Sequence, residues 1–123
     1  ETPDLPATVP GIDLAAALQR FGGDYGAFLA LLKRFENSQG DAVEETRRLL
    51  AAGQTQQAAQ LLHRVCGVAA NLGATQVQDR AAALEHALRV AQAPHEIAAH
   101  LATLETTLGA LLAALAAQLP TEA

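Results

Sequence analysis

Of the four histidines in this chain, His63 has the neighbours that best suit chemistry. Apolar residues Ala58, Leu61, Leu62, Val65, Ala69 and Leu72 recur at helical spacing and define one face of a helix. Gln56, Gln60, His63, Gly67 and Asn71 fall on the opposite stripe, so His63 is expected to face solvent. Gly67 lies one turn later, about 40° around the axis. Glycine inside a helix costs ~1 kcal/mol relative to alanine, and a chain this rich in alanine had no compositional need of it there. Helical side chains lean toward the N-terminus, so a residue at 67 would overlie position 63. Glycine leaves the imidazole uncovered, and the small Ala59 and Ala70 flank the same notch. An accessible neutral imidazole is a nucleophile, since one ring nitrogen can attack while the other keeps its proton. No carboxylate, serine or second histidine sits beside it in sequence to build a triad. An exposed nucleophile without its own pocket suits a group that visits another protein's active site. Spacing alone also allows, and by itself favours, a surface histidine beside an incidental glycine.

The remaining candidates are weaker. His95 and His100 frame a segment with Glu96 between them, but a helical metal pair needs histidines at i and i+4. Five residues apart, they stand about 140° around the helix from each other and cannot chelate one ion. His86, near Arg89 and Asp79, reads as a surface residue. Cys66 has no second cysteine to pair with, and the chain offers too few ligands for a zinc cage, so no metal is expected.

The chain positioning these groups has 123 residues, the length of one domain with one core. Half the residues are apolar and only 3% aromatic, and the apolar mass is Ala and Leu, both helix formers. The formal net charge of −5 and the lack of a basic run argue against nucleic acid. No apolar run approaches the ~18 residues of a membrane span, and no basic amphipathic membrane helix is evident. There is no basic, apolar start like that of a signal peptide, and the sequence opens at Glu1 rather than Met, which reads as a boundary. Cysteine usage suits a reducing cytoplasm.

Residues 1–11, with Pro3, Pro6 and Pro10, read as a linker or tail, 12–119 as the helical domain, and 120–123 as a C-terminal tail. Asp13 can cap a short helix over 14–20, which Gly22 and Gly23 end. Asp24 caps a helix carrying Phe28, Leu31, Leu32 and Phe35, and the chain bends or breaks at Ser38 or Gly40. Further helices are expected over 39–52, 55–72, 75–91 and 95–119. In the last, Ile97, Leu101, Leu104, Leu108, Leu111 and Leu115 alternate steps of four and three, a period that packs helices at a shallow angle. Short connections make neighbouring helices antiparallel. The expected fold is all-α: an antiparallel up-and-down four-helix bundle with one or two short N-terminal helices.

The run His63-Arg64-Val65-Cys66-Gly67-Val68-Ala69-Ala70-Asn71-Leu72-Gly73-Ala74 resembles the signature of histidine-containing phosphotransfer (HPt) domains. That signature has a histidine, usually Lys-Gly at +3 and +4, then small residues and a Leu-Gly helix stop. Phe21-Gly22-Gly23-Asp24 followed by Phe28, Leu32 and Phe35 resembles the family's N-terminal part, so the resemblance spans about residues 12–118.

The resemblance implies a monomeric go-between of multistep phosphorelays, without an ATP site or enzymatic activity of its own. His63 would accept a phosphoryl group from a receiver-domain aspartate and pass it to another receiver, and Gly67 would give clearance. Gln60, Ala59, Cys66, Ala70 and Asn71 would form the docking patch, with exposed Ala and Leu around the notch. No cofactor would be bound here; Mg²⁺ would sit on the partner receiver. The Pro-rich lead-in also resembles the C-terminal end of a hybrid sensor histidine kinase, which implies a cytoplasmic domain of a longer, membrane-bound protein. In one respect the chain departs from the family: Cys66 stands where a lysine is usual, which leaves open what offsets the phosphoryl charge; Arg64 is one candidate, and Lys33 or Arg34 is another if their earlier helix packs alongside. Two alternatives stay open: a chemotaxis-type substrate domain labelled directly by a kinase, and a docking or structural bundle without phosphotransfer.

Overall fold

A computed structural model describes residues 24–118 together with Ile12, Gln19 and Gly22. The expected tails at 1–11 and 120–123 lie outside the described residues, as does the short helix over 14–20 apart from Gln19. Among the described residues the chain forms five helices and no ladder of strands. They are α1 (Tyr25–Ser38), α2 (Ala42–Ala51), α3 (Thr55–Leu72), α4 (Thr75–Arg89) and α5 (Pro94–Gln118).

Local chemistry sets most of these limits. The Asp24 carboxylate accepts from the Ala27 amide at 3.0 Å and caps α1. The helix stops at the Ser38–Gly40 break and restarts as α2. Gly53 and Gly73 take φ of +75° and +74°, and the amides after them close back on Leu49 and Ala69 at 2.8 and 2.9 Å. These are the left-handed helix stops for which glycine is suited. α4 ends the same way without one: Ala91 has φ +55° and the Gln92 amide donates to the Ala87 carbonyl at 3.0 Å. That stop ends α4 at Arg89, short of the expected 91. Pro94 opens α5 in the first turn, where its missing N–H costs nothing.

α3 and α4 form the most extensive helix pair, α5 packs along α4, and α2 lies against α3. α1 and α2 together make the first limb and close the bundle against α5 and α3. Phe28, Leu32, Phe35, Leu62, Leu72 and Leu84 are the large side chains at its centre. Thr46 is fully buried, and its hydroxyl donates to the Ala42 carbonyl at 2.8 Å. Arg47 ties α2 to α5 through Glu105 at 2.7 Å and also reaches Glu44 at 2.6 Å. The Arg47 hydrogen bond holds the Glu105 carboxyl below the usual carboxylate range.

Contrary to the sequence expectation, Pro94–Ala117 is long and apolar enough, by length and composition, to cross a membrane. Alanine produces this: Leu101, Leu104, Leu108, Leu111 and Leu115 are all buried in the bundle, while alanines and threonines cover much of the exposed side.

Candidate functional site

α3 carries the site because one arc of it is committed to the core. Ala58, Ala59, Leu62, Val65, Ala69 and Leu72 are buried. Gln56, Gln60, His63, Gly67 and Asn71 are all exposed, as their stripe predicts. The His63 side chain is 75% exposed. A Cβ built on Gly67 would meet nothing within 4 Å, so no packing demand of the fold explains the glycine.

The structure adds two residues that the sequence reading missed. α4 buries Ala81, Leu84 and Leu88, and Glu85 stands beside that stripe with its side chain 15% exposed. Its carboxylate therefore sits at the seam between α3 and α4. His63 Nδ1 lies 3.4 Å from Oε1 and 3.3 Å from Oε2, a long contact shared between the two oxygens. One turn further along α4, Arg89 Nε donates to Glu85 Oε2 at 2.9 Å, and Nη2 forms an ion pair with the same oxygen, also at 2.9 Å. A carboxylate bonded to a guanidinium can only accept, so in this contact Nδ1 is placed as the donor. Nε2 has no hydrogen-bond partner among the described residues, and the side chain as a whole is 75% exposed.

The other predicted site residues divide. Gln60 and Asn71 are exposed, and Cys66 and Ala70 are half-buried beside them. Ala59 is 2% exposed and does not belong to a docking face. It turns into the α3–α4 seam, where it lines a hollow with Leu88 and Arg89. Nor do exposed leucines surround the notch: Leu61 is half-buried, Leu62 is fully buried, and Val90 is the exposed large hydrophobic side chain among the described residues. The apolar part of this face is made of half-buried Cys66, Val68 and Ala70. Burial pushes the Cys66 thiol up, with Glu85 and Asp79 adding to it, so position 66 offers no charge. Arg64 is exposed, as is Arg34 on α1, while Lys33 is half-buried and has interactions of its own. The group bonded to the His63 ring among the described residues is Glu85, not a cation. No cluster of three metal-ligating side chains occurs among them, and His95 and His100 lie apart from this site on α5.

A helical bundle presenting one uncovered, carboxylate-backed histidine defines a class of carrier rather than a self-contained active site. The family model of the Hpt domain matches residues 30–119, and the chain belongs to that family. Its class of function is therefore histidine phosphotransfer in two-component phosphorelays, by modules that interact with receiver domains. No curated protein and no solved structure matches the chain.

Proposed function

We propose that His63 is the phosphoacceptor and that the domain carries phosphoryl groups between receiver-domain aspartates. The observation that supports this most is the division of labour on one ring: Nδ1 faces Glu85 while the side chain is 75% exposed and the space at Gly67 is empty.

The step balances simply. The Nε2 lone pair attacks the phosphorus of a receiver's aspartyl phosphate. The N–P bond forms as the P–O bond breaks, and the electron pair of the broken bond leaves on the aspartate carboxylate. Nδ1 keeps its proton, directed at Glu85, and that carboxylate offsets the positive charge the ring acquires. Transfer onward is the same sequence in reverse on a second receiver. This bundle supplies a rigid, uncovered nucleophile, and neutralisation of the phosphoryl oxygens falls to Mg²⁺ held by the receiver. Gly67 serves clearance, and Gln60, Cys66, Ala70 and Asn71 form the rim that meets the partner. We assign the domain to the cytoplasm, as a monomer without its own ATP site.

The donor decides between the readings. A phosphorylated receiver should label the domain, and a histidine-kinase catalytic domain with ATP should not do so directly. Labelling by the kinase alone would make this a chemotaxis-type substrate domain. Labelling by neither would leave a docking or structural bundle.

A further inference from the structure

The site lacks a cation on α3. The half-buried, uncharged Cys66 stands one turn from His63, where a long basic side chain could lean back over the ring. Arg64 is adjacent in sequence but about 100° away around the helix, and no ion pair holds it among the described residues. Glu85 offsets the positive charge of the ring from the Nδ1 side, but it also adds negative charge near the phosphoryl group on Nε2 and does nothing for the phosphoryl oxygens.

Arg89 answers both difficulties. Its Nε and Nη2 grip the same Glu85 oxygen that His63 Nδ1 approaches, so the guanidinium is held no more than about 6 Å from the ring. Nη1 has no partner among the described residues, and the Arg89 side chain is half exposed. Arginine is suited to this because its fork can bond a carboxylate and a phosphoryl oxygen through different N–H groups at once. We propose that Arg89, held in place by Glu85, is the phosphate-supporting residue of this domain. Its guanidinium neutralises Glu85 and donates from Nη1 to the phosphoryl oxygens of charged His63. In this arrangement the cation comes from α4 instead of from position 66 on α3.

This inference rests on His63 as the phosphoacceptor but not on which protein donates, so the test uses phosphoramidate, a small donor that needs no receiver. Charge the wild-type domain, Arg89→Ala, Arg89→Lys and Arg89→Ala/Cys66→Lys to steady state. The phosphohistidine yield is then read by ³¹P NMR at low and high salt. Arg89→Ala should lower the ratio of charged to uncharged domain about 1.5- to 5-fold at low salt, the size of an exposed ion pair. High salt should shrink the difference. Arg89→Lys should recover part of the yield, and Cys66→Lys should restore it in the Arg89→Ala background. An Arg89→Ala yield equal to wild type at low salt would overturn the assignment. So would full recovery of the wild-type yield in Arg89→Ala/Glu85→Gln, because Arg89 would then only be masking Glu85. If phosphoramidate charges a group other than His63, the phosphoacceptor reading fails first, and the peptide carrying the label shows it.

Discussion

Replacing Gly67 separates what the fold needs from what transfer needs. A Cβ at this exposed position would meet nothing within 4 Å, so alanine introduces no clash. The full helix-propensity difference, ~1 kcal/mol, should appear as added stability. For a domain of this size that corresponds to a rise in Tm of about 3–5 °C. The added methyl also lies beyond 4 Å of the His63 ring, so Gly67→Ala should leave charging by phosphoramidate unchanged. A long side chain is different. Gly67→Gln can fold back over position 63 and occupy the space a receiver must enter. Transfer from a phosphorylated receiver should slow by tenfold or more, ~1.4 kcal/mol or more of barrier, while the helix content and unfolding transition survive. Circular dichroism melts and single-turnover transfer, run on the same preparations, give both numbers. The reasoning is refuted if Gly67→Ala destabilises the domain, or if Gly67→Gln receives phosphate at the wild-type rate.

Three further outcomes follow from the surrounding structure. Ala91→Gly should stabilise the domain by ~0.5–1 kcal/mol in denaturant melts, since the left-handed conformation costs alanine ~1–2 kcal/mol and glycine gives part of that back as chain entropy. Glu105 is held below its usual range by Arg47, so its contribution to stability is present above that range and disappears as pH falls through the lowered value. Glu105→Gln should therefore flatten the acid side of the stability profile and leave the profile above neutrality parallel to wild type. Burial raises the Cys66 thiol, so its alkylation by iodoacetamide at pH 8 should run several-fold slower than that of a free thiol and reach the free rate in denaturant.

The helices were readable because their stripes and stops are local. The apolar face of α3, the cap at Asp24 and the glycines at 53 and 73 each act within one or two turns. The exposed stripe containing His63 and Gly67 followed from the same periodicity. What escaped the sequence depends on neighbours. Ala59 is buried because α4 covers more of α3 than its leucines and valine alone indicate. α4 ends early at a left-handed alanine, for which no residue type gives a signal. Glu85 lies 22 residues from His63 and meets it only across the α3–α4 seam. A trace of it was nonetheless present: a glutamate beside the apolar stripe of Ala81, Leu84 and Leu88, with an arginine four residues later, is an unusual use of a buried-side position.

The central claim concerns one nitrogen. Incubate the domain with a receiver carrying ³²P on its aspartate, then map the label and its chemistry on the isolated domain. Acid-labile, base-stable phosphate on His63, attached at Nε2 and absent from His63→Gln, is the predicted result. Label that persists in folded His63→Gln, or attachment at Nδ1 on the Glu85 side of the ring, would contradict it.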